Sequence, residues 1–370
     1  MKQDKILWVT NTLGCGGAER QILYMYNILK EHCGFDITIL YYAHANDELC
    51  TDAVNTVYID KNNIGKLNTV IQIVKFIKKN NIGIVHAFGG GTANIYGRLG
   101  AMFCKTAIPV GAMLGKKHFA NKGIALANSL LNLFGNWWTV NNMDLVPILK
   151  KDLLYVNDKK IRMLHNGYLP AEAIDYNLDE NTEYDEDKRD QFVFTVVGRL
   201  QPVKNYPLFL KAAAQIAKEH ANVRFWVVGN GQEFNKLQIL AQNLGIADRV
   251  RFWGYRTDVD VAMSRTDVFV QTSFTEGSPN TVIEAMRAKK PIITTESTDF
   301  GEMIESGKNG YIVENDNLDE LVKAMREMLH KSKRQLANAG NLSYEMFEKY
   351  FLDVHVAAEF EAFYSEVLGK

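Results

Sequence analysis

What this chain lacks narrows its class before any motif is read. Its four cysteines, Cys15, Cys33, Cys50 and Cys104, lie far apart with no C-x-x-C spacing. That excludes a disulfide framework and fits free thiols in a reducing cytoplasm. The eight histidines are equally scattered, with no metal-ligand pattern. No apolar run approaches the roughly eighteen residues of a membrane-spanning helix. Met1–Lys5 leads into a short strand at Ile6–Thr10 without a leader-like apolar stretch. Acidic side chains are missing altogether between Asp60 and Asp144, where Lys61, Lys66, Lys75, Lys78, Lys79, Arg98, Lys105, Lys116, Lys117 and Lys122 fall.

That gap exposes an asymmetry beneath a net charge of −1. Residues 1–168 carry 19 Lys+Arg against 11 Asp+Glu, leaving 23 against 32 for residues 169–370. A basic half beside an acidic half suggests that the first half faces something anionic. No nucleic-acid motif accompanies the charge, and the basic residues are mixed with Phe76, Phe103, Phe119, Trp137 and Trp138. The mixture suits an anionic membrane surface, where each nearby Lys or Arg contributes about 1 kcal/mol. Lys66–Lys79 is amphipathic, with Leu67, Val70, Ile71, Val74 and Ile77 at helical spacing; these are expected in the core. At 370 residues and 47% hydrophobic content, two soluble domains are expected, each able to bury a core.

The most informative stretch is Thr272–Ala288, TSFTEGSPNTVIEAMRA. It follows an apolar run, Val268–Gln271, that reads as a buried parallel strand. Ser278 is placed to cap a helix and Pro279 to occupy its first position, where the missing N–H is no loss. Free amides and the helix dipole then make a seat for an anion at the carboxyl edge of a sheet. Glu276 and Glu284 flank that seat. A phosphate repels them, so they suit neutral sugar hydroxyls instead.

E-G-x-P-N-x-x-x-E-A-M over 276–286 resembles the signature of the large retaining GT-B glycosyltransferase family, glycosyl transferases group 1. That family includes sucrose synthases and bacterial mannosyl- and N-acetylhexosaminyltransferases. Near the start, Asn11–Gly17 follows the first strand and carries Gly14, Gly16 and Gly17, which let a backbone approach a phosphate closely. It is not the dinucleotide fingerprint, because Glu19 replaces the third glycine. It is similar instead to the family's GGAER loop, which places Gly16 and Gly17 against the donor diphosphate.

Alternating strands and helices predict a parallel α/β sheet in each half, with functional residues at strand carboxyl ends. His86 ends one such strand and is read as a base or polarising group for an acceptor hydroxyl. A satisfied structural histidine is the alternative. The family often has His-x-His here, and Phe88 replaces the second. At the next strand end, Lys116 and Lys117 are candidates for an acceptor phosphate. Asn166-Gly167 is a turn signal at the expected hinge. The acidic, apolar-poor Ala171–Gln191 reads as an exposed connector. Gly198-Arg199 with Lys204-Asn205 matches the family's G-R-x-x-x-x-K-(N/G). Arg199 offers a planar fork and Lys204 a point charge to a departing diphosphate. The resemblance assigns Gly254, Tyr255 and Arg256 to the nucleobase pocket. Asp258-Val259-Asp260 is expected to cap a short helix rather than hold metal.

The resemblance implies two Rossmann-like domains around a cleft: 1–168 for the acceptor, a connector at 169–191, 192–345 for the donor, and a crossover helix at 346–370. It implies metal-independent, retaining transfer of a hexose or N-acetylhexosamine from a nucleotide sugar, UDP before GDP, to a glycan or lipid-linked glycan. The donor residues would be Gly16, Gly17, Gly198, Arg199, Lys204, Gly254–Arg256, Glu276, Gly277, Ser278, Pro279, Asn280, Thr281 and Glu284. No cofactor and no nucleic-acid partner are expected, and the protein is placed in the cytoplasm, peripheral on the inner membrane face. A nucleotide-sugar epimerase and a non-catalytic sugar-nucleotide-binding module are the rivals. The incomplete glycine pattern disfavours a dehydrogenase.

Overall fold

A computed structural model describes residues 5–14, 17–45, 53–88, 90–116, 119, 121–174, 182–298 and 303–370. Two compact units divide the chain, Met1–Tyr168 with Phe351–Lys370, and Leu169–Tyr350.

In the first unit, strands alternate with helices: β1 (Lys5–Thr10), α1 (Gly17–His32), β2 (Asp36–Tyr41), β3 (Thr56–Tyr58), α2 (Lys61–Asn80), β4 (Ile84–Ala87), α3 (Gly90–Met102), β5 (Ile108–Met113), α4 (Lys122–Leu131), β6 (Trp137–Val140), α5 (Leu145–Asp152) and β7 (Ile161–Met163). The seven strands are parallel in the order β3-β2-β1-β4-β5-β6-β7. Helices on both faces explain why β1 and β4 read as continuous apolar runs rather than alternating ones. The order reverses between β1 and β4, which puts residues 11–14, directly after β1, and His86 at the switch point.

The second unit runs α6 (Glu183–Lys188), β8 (Phe192–Val197), α7 (Tyr206–Glu219), β9 (Val223–Val228), α8 (Phe234–Asn243), β10 (Val250–Gly254), α9 (Val259–Arg265), β11 (Val268–Gln271), α10 (Asn280–Arg287), β12 (Ile292–Thr295), β13 (Gly310–Val313), α11 (Leu318–Leu329) and α12 (Lys333–Phe351). Its six parallel strands are ordered β10-β9-β8-β11-β12-β13. Phe194, Val196, Phe225, Val227, Val268 and Val270 are fully buried beneath α7, α8 and α11. Each such side chain contributes about 1.5–3 kcal/mol on leaving water.

Three expectations need correction. Residues 182–191 are no exposed connector: Tyr184 is buried against Trp226 and Trp253. Asp187 accepts from Trp226 Nε1 at 2.8 Å and pairs with Arg224 at 3.1 Å. Acidic composition signalled solvent, but Asp187 is spent on Arg224 of the sheet and Asp185 on Arg265. The crossover helix expected over 346–370 is divided between two helices, the end of α12 and α13 (Asp353–Leu368). Leu352 takes an extended conformation between them and bridges Tyr168, whose amide donates to Phe351 O at 2.9 Å. The chain returns to the first unit there, at 350/351 rather than 345/346. Finally, α2 kinks at Gly65, and beyond the kink Leu67 and Ile71 are exposed, whereas Ile73 and Ile77 fill the core.

Candidate functional site

The second sheet sets the site by register. Phe269 lies opposite Thr195, so β8 and β11 end together, and the loops that follow leave side by side at the point where strand order reverses. Such a switch point is where open parallel sheets hold their ligands. The loop after β8 carries Gly198, with φ +145°, a value that favours glycine. Arg199 follows it, exposed; its carbonyl accepts from Gln201 N at 2.9 Å, and its guanidinium has no hydrogen bond or ion pair to a described residue. Pro202–Lys204 forms a single tight turn, and Asn205 then adopts the left-handed conformation that opens α7.

The loop after β11 is stapled to this turn. Thr272 Oγ1 donates to Lys204 O and Asn205 O, both at 3.0 Å, and the Phe274 amide donates to Val203 O at 2.9 Å. The loop after β12 joins them, through Glu276 N to Ser297 O at 2.9 Å and Thr295 Oγ1 to Ser273 O at 2.6 Å. On this scaffold Lys204 Nζ meets Glu276 Oε1 at 2.6 Å, with the side chains only 24% and 12% exposed. A charge-assisted pair held so far from water is stronger than a surface salt bridge.

α10 presents its other face to the core. Val282, Ile283, Ala285 and Met286 are buried, while Asn280, Thr281 and Glu284 remain accessible on one side. The helix begins one residue later than expected, with Pro279 as its cap residue rather than its first turn. The seat of free amides is also narrower. Asn280 N is bonded to Ser278 O, and Val282 N and Ile283 N to Pro279 O. Among the described residues, that leaves the amides of Gly277 and Thr281 without a partner. Beside them, Ser273 Oγ and Thr275 Oγ1 are buried without a partner among the described residues.

Gly254–Arg256 lies at the end of β10, two strands from β8. Gly254 has φ +68°, and Tyr255 is exposed. The Arg256 fork is not free for a nucleotide: Nε and Nη2 both donate to Asp258, at 2.8 and 2.7 Å. The guanidinium also lies over the Tyr184 ring. Its pairing partner corrects another expectation, since Asp258 makes no cap bond to α9. Asp260 likewise pairs with Arg287 at 2.5 Å.

The remaining candidates belong to the first unit. Gly17 opens α1; Gly16 and Lys117 lie outside the described residues, and Lys116 is half-buried after β5. His86 is corrected outright. It has no exposed surface, Nδ1 meets Tyr364 Oη at 3.0 Å, and Nε2 meets Thr139 Oγ1 at 2.9 Å. Burial lowers its pKa to about 3. A ring so enclosed, with both nitrogens taken, does not meet an acceptor hydroxyl; it ties β4 and β6 to α13. Strand-end position alone could not separate the two roles. Sequence reasoning also missed Thr272 and Tyr206, the first a generic strand-end hydroxyl and the second an apolar-looking helix start.

Residues 179–343 match the family model described as glycosyl transferases group 1. Among curated proteins, the chain is 29% identical over 275 residues to UDP-Gal:alpha-D-GlcNAc-diphosphoundecaprenol alpha-1,3-galactosyltransferase of Escherichia coli, covering 71% of this chain and 70% of that one. The lipopolysaccharide core biosynthesis glycosyltransferase LpsE of Rhizobium meliloti is 27% identical over 39% of this chain, and the match spans only 42% of that protein's length. Among solved structures, Anabaena HepE in complex with UDP superposes with a TM-score of 0.82 at 19% identity, covering 98% of this chain and 100% of that one. The second unit of this chain thus carries a glycosyl transferases group 1 domain, within a chain of GT-B fold.

Proposed function

We propose that this protein is a retaining, metal-independent glycosyltransferase. It moves a hexose or N-acetylhexosamine from a nucleoside diphosphate sugar, a UDP-sugar in first place, to a hydroxyl of a glycan or lipid-linked glycan in cell-surface polysaccharide synthesis. The observation that carries this reading is the half-buried Lys204–Glu276 pair beside the unpaired Arg199 at the sheet's switch point. A galactosyltransferase relative named for a UDP-sugar donor and a lipid diphosphate acceptor supports it, as does the UDP complex of HepE.

Departure of a nucleoside diphosphate leaves an oxocarbenium-like sugar and a multiply charged anion. Arg199 and Lys204, with the Gly277 and Thr281 amides, offer preorganised positive charge to that anion. Lys204 then turns from Glu276 to phosphate. Glu276 keeps hold of sugar hydroxyls close to the reacting carbon, and Glu284, one accessible face along α10, holds the ribose. The acceptor attacks on the side from which the leaving group departs, so configuration is retained without Glu276 becoming a nucleophile. Arg199→Ala and Lys204→Ala are each expected to cut turnover by orders of magnitude while the fold survives, since removing one transition-state charge partner typically costs about 100- to 1000-fold. Near-normal turnover in both variants would remove the diphosphate assignment. Donor consumed to an isomeric sugar with no acceptor present would favour the epimerase instead. Turnover unchanged by EDTA is expected.

The first unit is proposed to rest on the inner, anionic membrane face. Leu126, Leu130, Leu133 and Phe134 form an exposed apolar stripe on and just beyond α4. Leu154 and Tyr155 continue it, held there by Leu154 N to Ser129 Oγ at 2.9 Å and Asn132 Nδ2 to Leu154 O at 2.8 Å. Lys122 opens that helix, within the span that holds no acidic residue.

A further inference from the structure

Tyr206 is 3% exposed, yet its hydroxyl has no hydrogen-bond partner among the described residues. The ring is enclosed, but the hydroxyl oxygen is not among the enclosed atoms left unpaired, so it keeps some access to solvent and can take a partner while the ring stays in the core. Its surroundings are the candidate site itself. A methyl group placed on Gly198 would meet the Tyr206 hydroxyl at 3.2 Å and Lys204 Cε at 3.9 Å. Burial, and after it the nearby Glu276 carboxylate, push the phenol up, so Tyr206 is a neutral donor at any physiological pH. It is fixed in place by its position as the first residue of α7, directly after Asn205. The Asn205 side chain donates to Asp316 at 3.0 Å, and its carbonyl accepts from Thr272. Nothing about that anchoring needs the hydroxyl.

Without a ligand, Glu276 is satisfied by Lys204. A diphosphate draws the lysine away, and a carboxylate only 12% exposed is then left without its cation, which is costly. We infer that Tyr206 is a positioning residue that donates its hydroxyl to Glu276 when Lys204 turns to the donor's diphosphate, so that the carboxylate stays aimed at the sugar. The inference rests on the donor-site reading above. It separates the two halves of donor recognition: the lysine reads phosphate, and the tyrosine acts only through the sugar-binding carboxylate.

Tyr206→Phe removes one oxygen and keeps the ring. Calorimetry would compare the variant with wild type for UDP alone and for the tightest binder among UDP-glucose, UDP-galactose and UDP-N-acetylglucosamine. UDP affinity is expected to stay within about twofold, while UDP-sugar affinity or turnover falls by roughly tenfold or more, the usual effect of losing a hydrogen bond to a charged group. The ligand-free variant is expected to melt no lower than wild type, because its hydroxyl has no partner to lose. Equal behaviour towards both ligands, whether both unchanged or both weakened, would overturn the inference, and so would a lower melting temperature without ligand. A wild-type protein that binds none of these nucleotides would instead overturn the donor-site reading, and this inference with it.

Discussion

At the residue scale, two buried polar groups that look alike in sequence diverge by what surrounds them. Glu276 keeps one cation and a share of solvent exposure, so it can exchange partners. His86 has neither, and its two ring nitrogens are fixed by Tyr364 and Thr139. Its folded pKa of about 3 lies below the ordinary histidine value, so the unfolded chain binds a proton that the folded one refuses. The sign follows: the stabilisation is complete above about pH 6.5 and is lost as pH falls towards 3, by at most about 1.4 kcal/mol per unit. Urea unfolding at pH 7.5 and 5.5 should show a smaller difference in His86→Asn than in wild type. An identical difference would mean that His86 is not the group being titrated.

At the element scale, strand and helix order was legible because β8, β11 and α10 combine apolar runs with Gly and Pro punctuation that fixes local geometry. The Arg199, Lys204 and Glu276 positions followed from those strand ends. What stayed hidden were long-range pairings. Nothing in the acidic run around Asp187 says that its carboxylate meets Trp226 and Arg224 in the sheet. Asp187→Ala leaves Trp226 Nε1 without its partner, while Arg224 keeps its bonds to Asp187 O and Asp248 O; it should cost about 1–3 kcal/mol, readable as a shift in the denaturant midpoint. A change below about 0.5 kcal/mol would return residues 182–191 to the status of a surface connector. Likewise, periodicity in Lys66–Lys79 marked one apolar face but not its limits, and Leu67 and Ile71 fell outside the core. The α4 stripe has the opposite character, since its apolar side chains sit on the solvent side. Leu130→Glu with Phe134→Glu should leave stability nearly unchanged and reduce partitioning onto phosphatidylglycerol vesicles about tenfold. Partitioning equal to wild type would count against that face. Neutralising Lys75, Lys78 and Lys79 with no effect would confine the contact to α4.

At the scale of the whole molecule, both parallel sheets put their loops of interest at the point where strand order reverses, and the charge is divided between the halves. The residues proposed for the donor could be grouped from sequence because they lie in the loops after two adjacent strand ends. The residues proposed for the acceptor could not be, because a strand-end position does not tell a ligand-facing histidine from one enclosed in the core, as His86 is. The central claim is therefore that Arg199 and Lys204 form a nucleoside diphosphate site in the second unit. Thermal unfolding of wild type and of the Arg199→Ala, Lys204→Ala double variant, each with UDP, GDP, ADP and their sugar conjugates, tests it most directly. A ligand at a hundred times its dissociation constant stabilises the folded state by about 2.7 kcal/mol. Wild-type melting temperature is expected to rise with the uridine nucleotides, and that rise to be lost in the double variant. No rise with any nucleotide, or an equal rise in the variant, would contradict it.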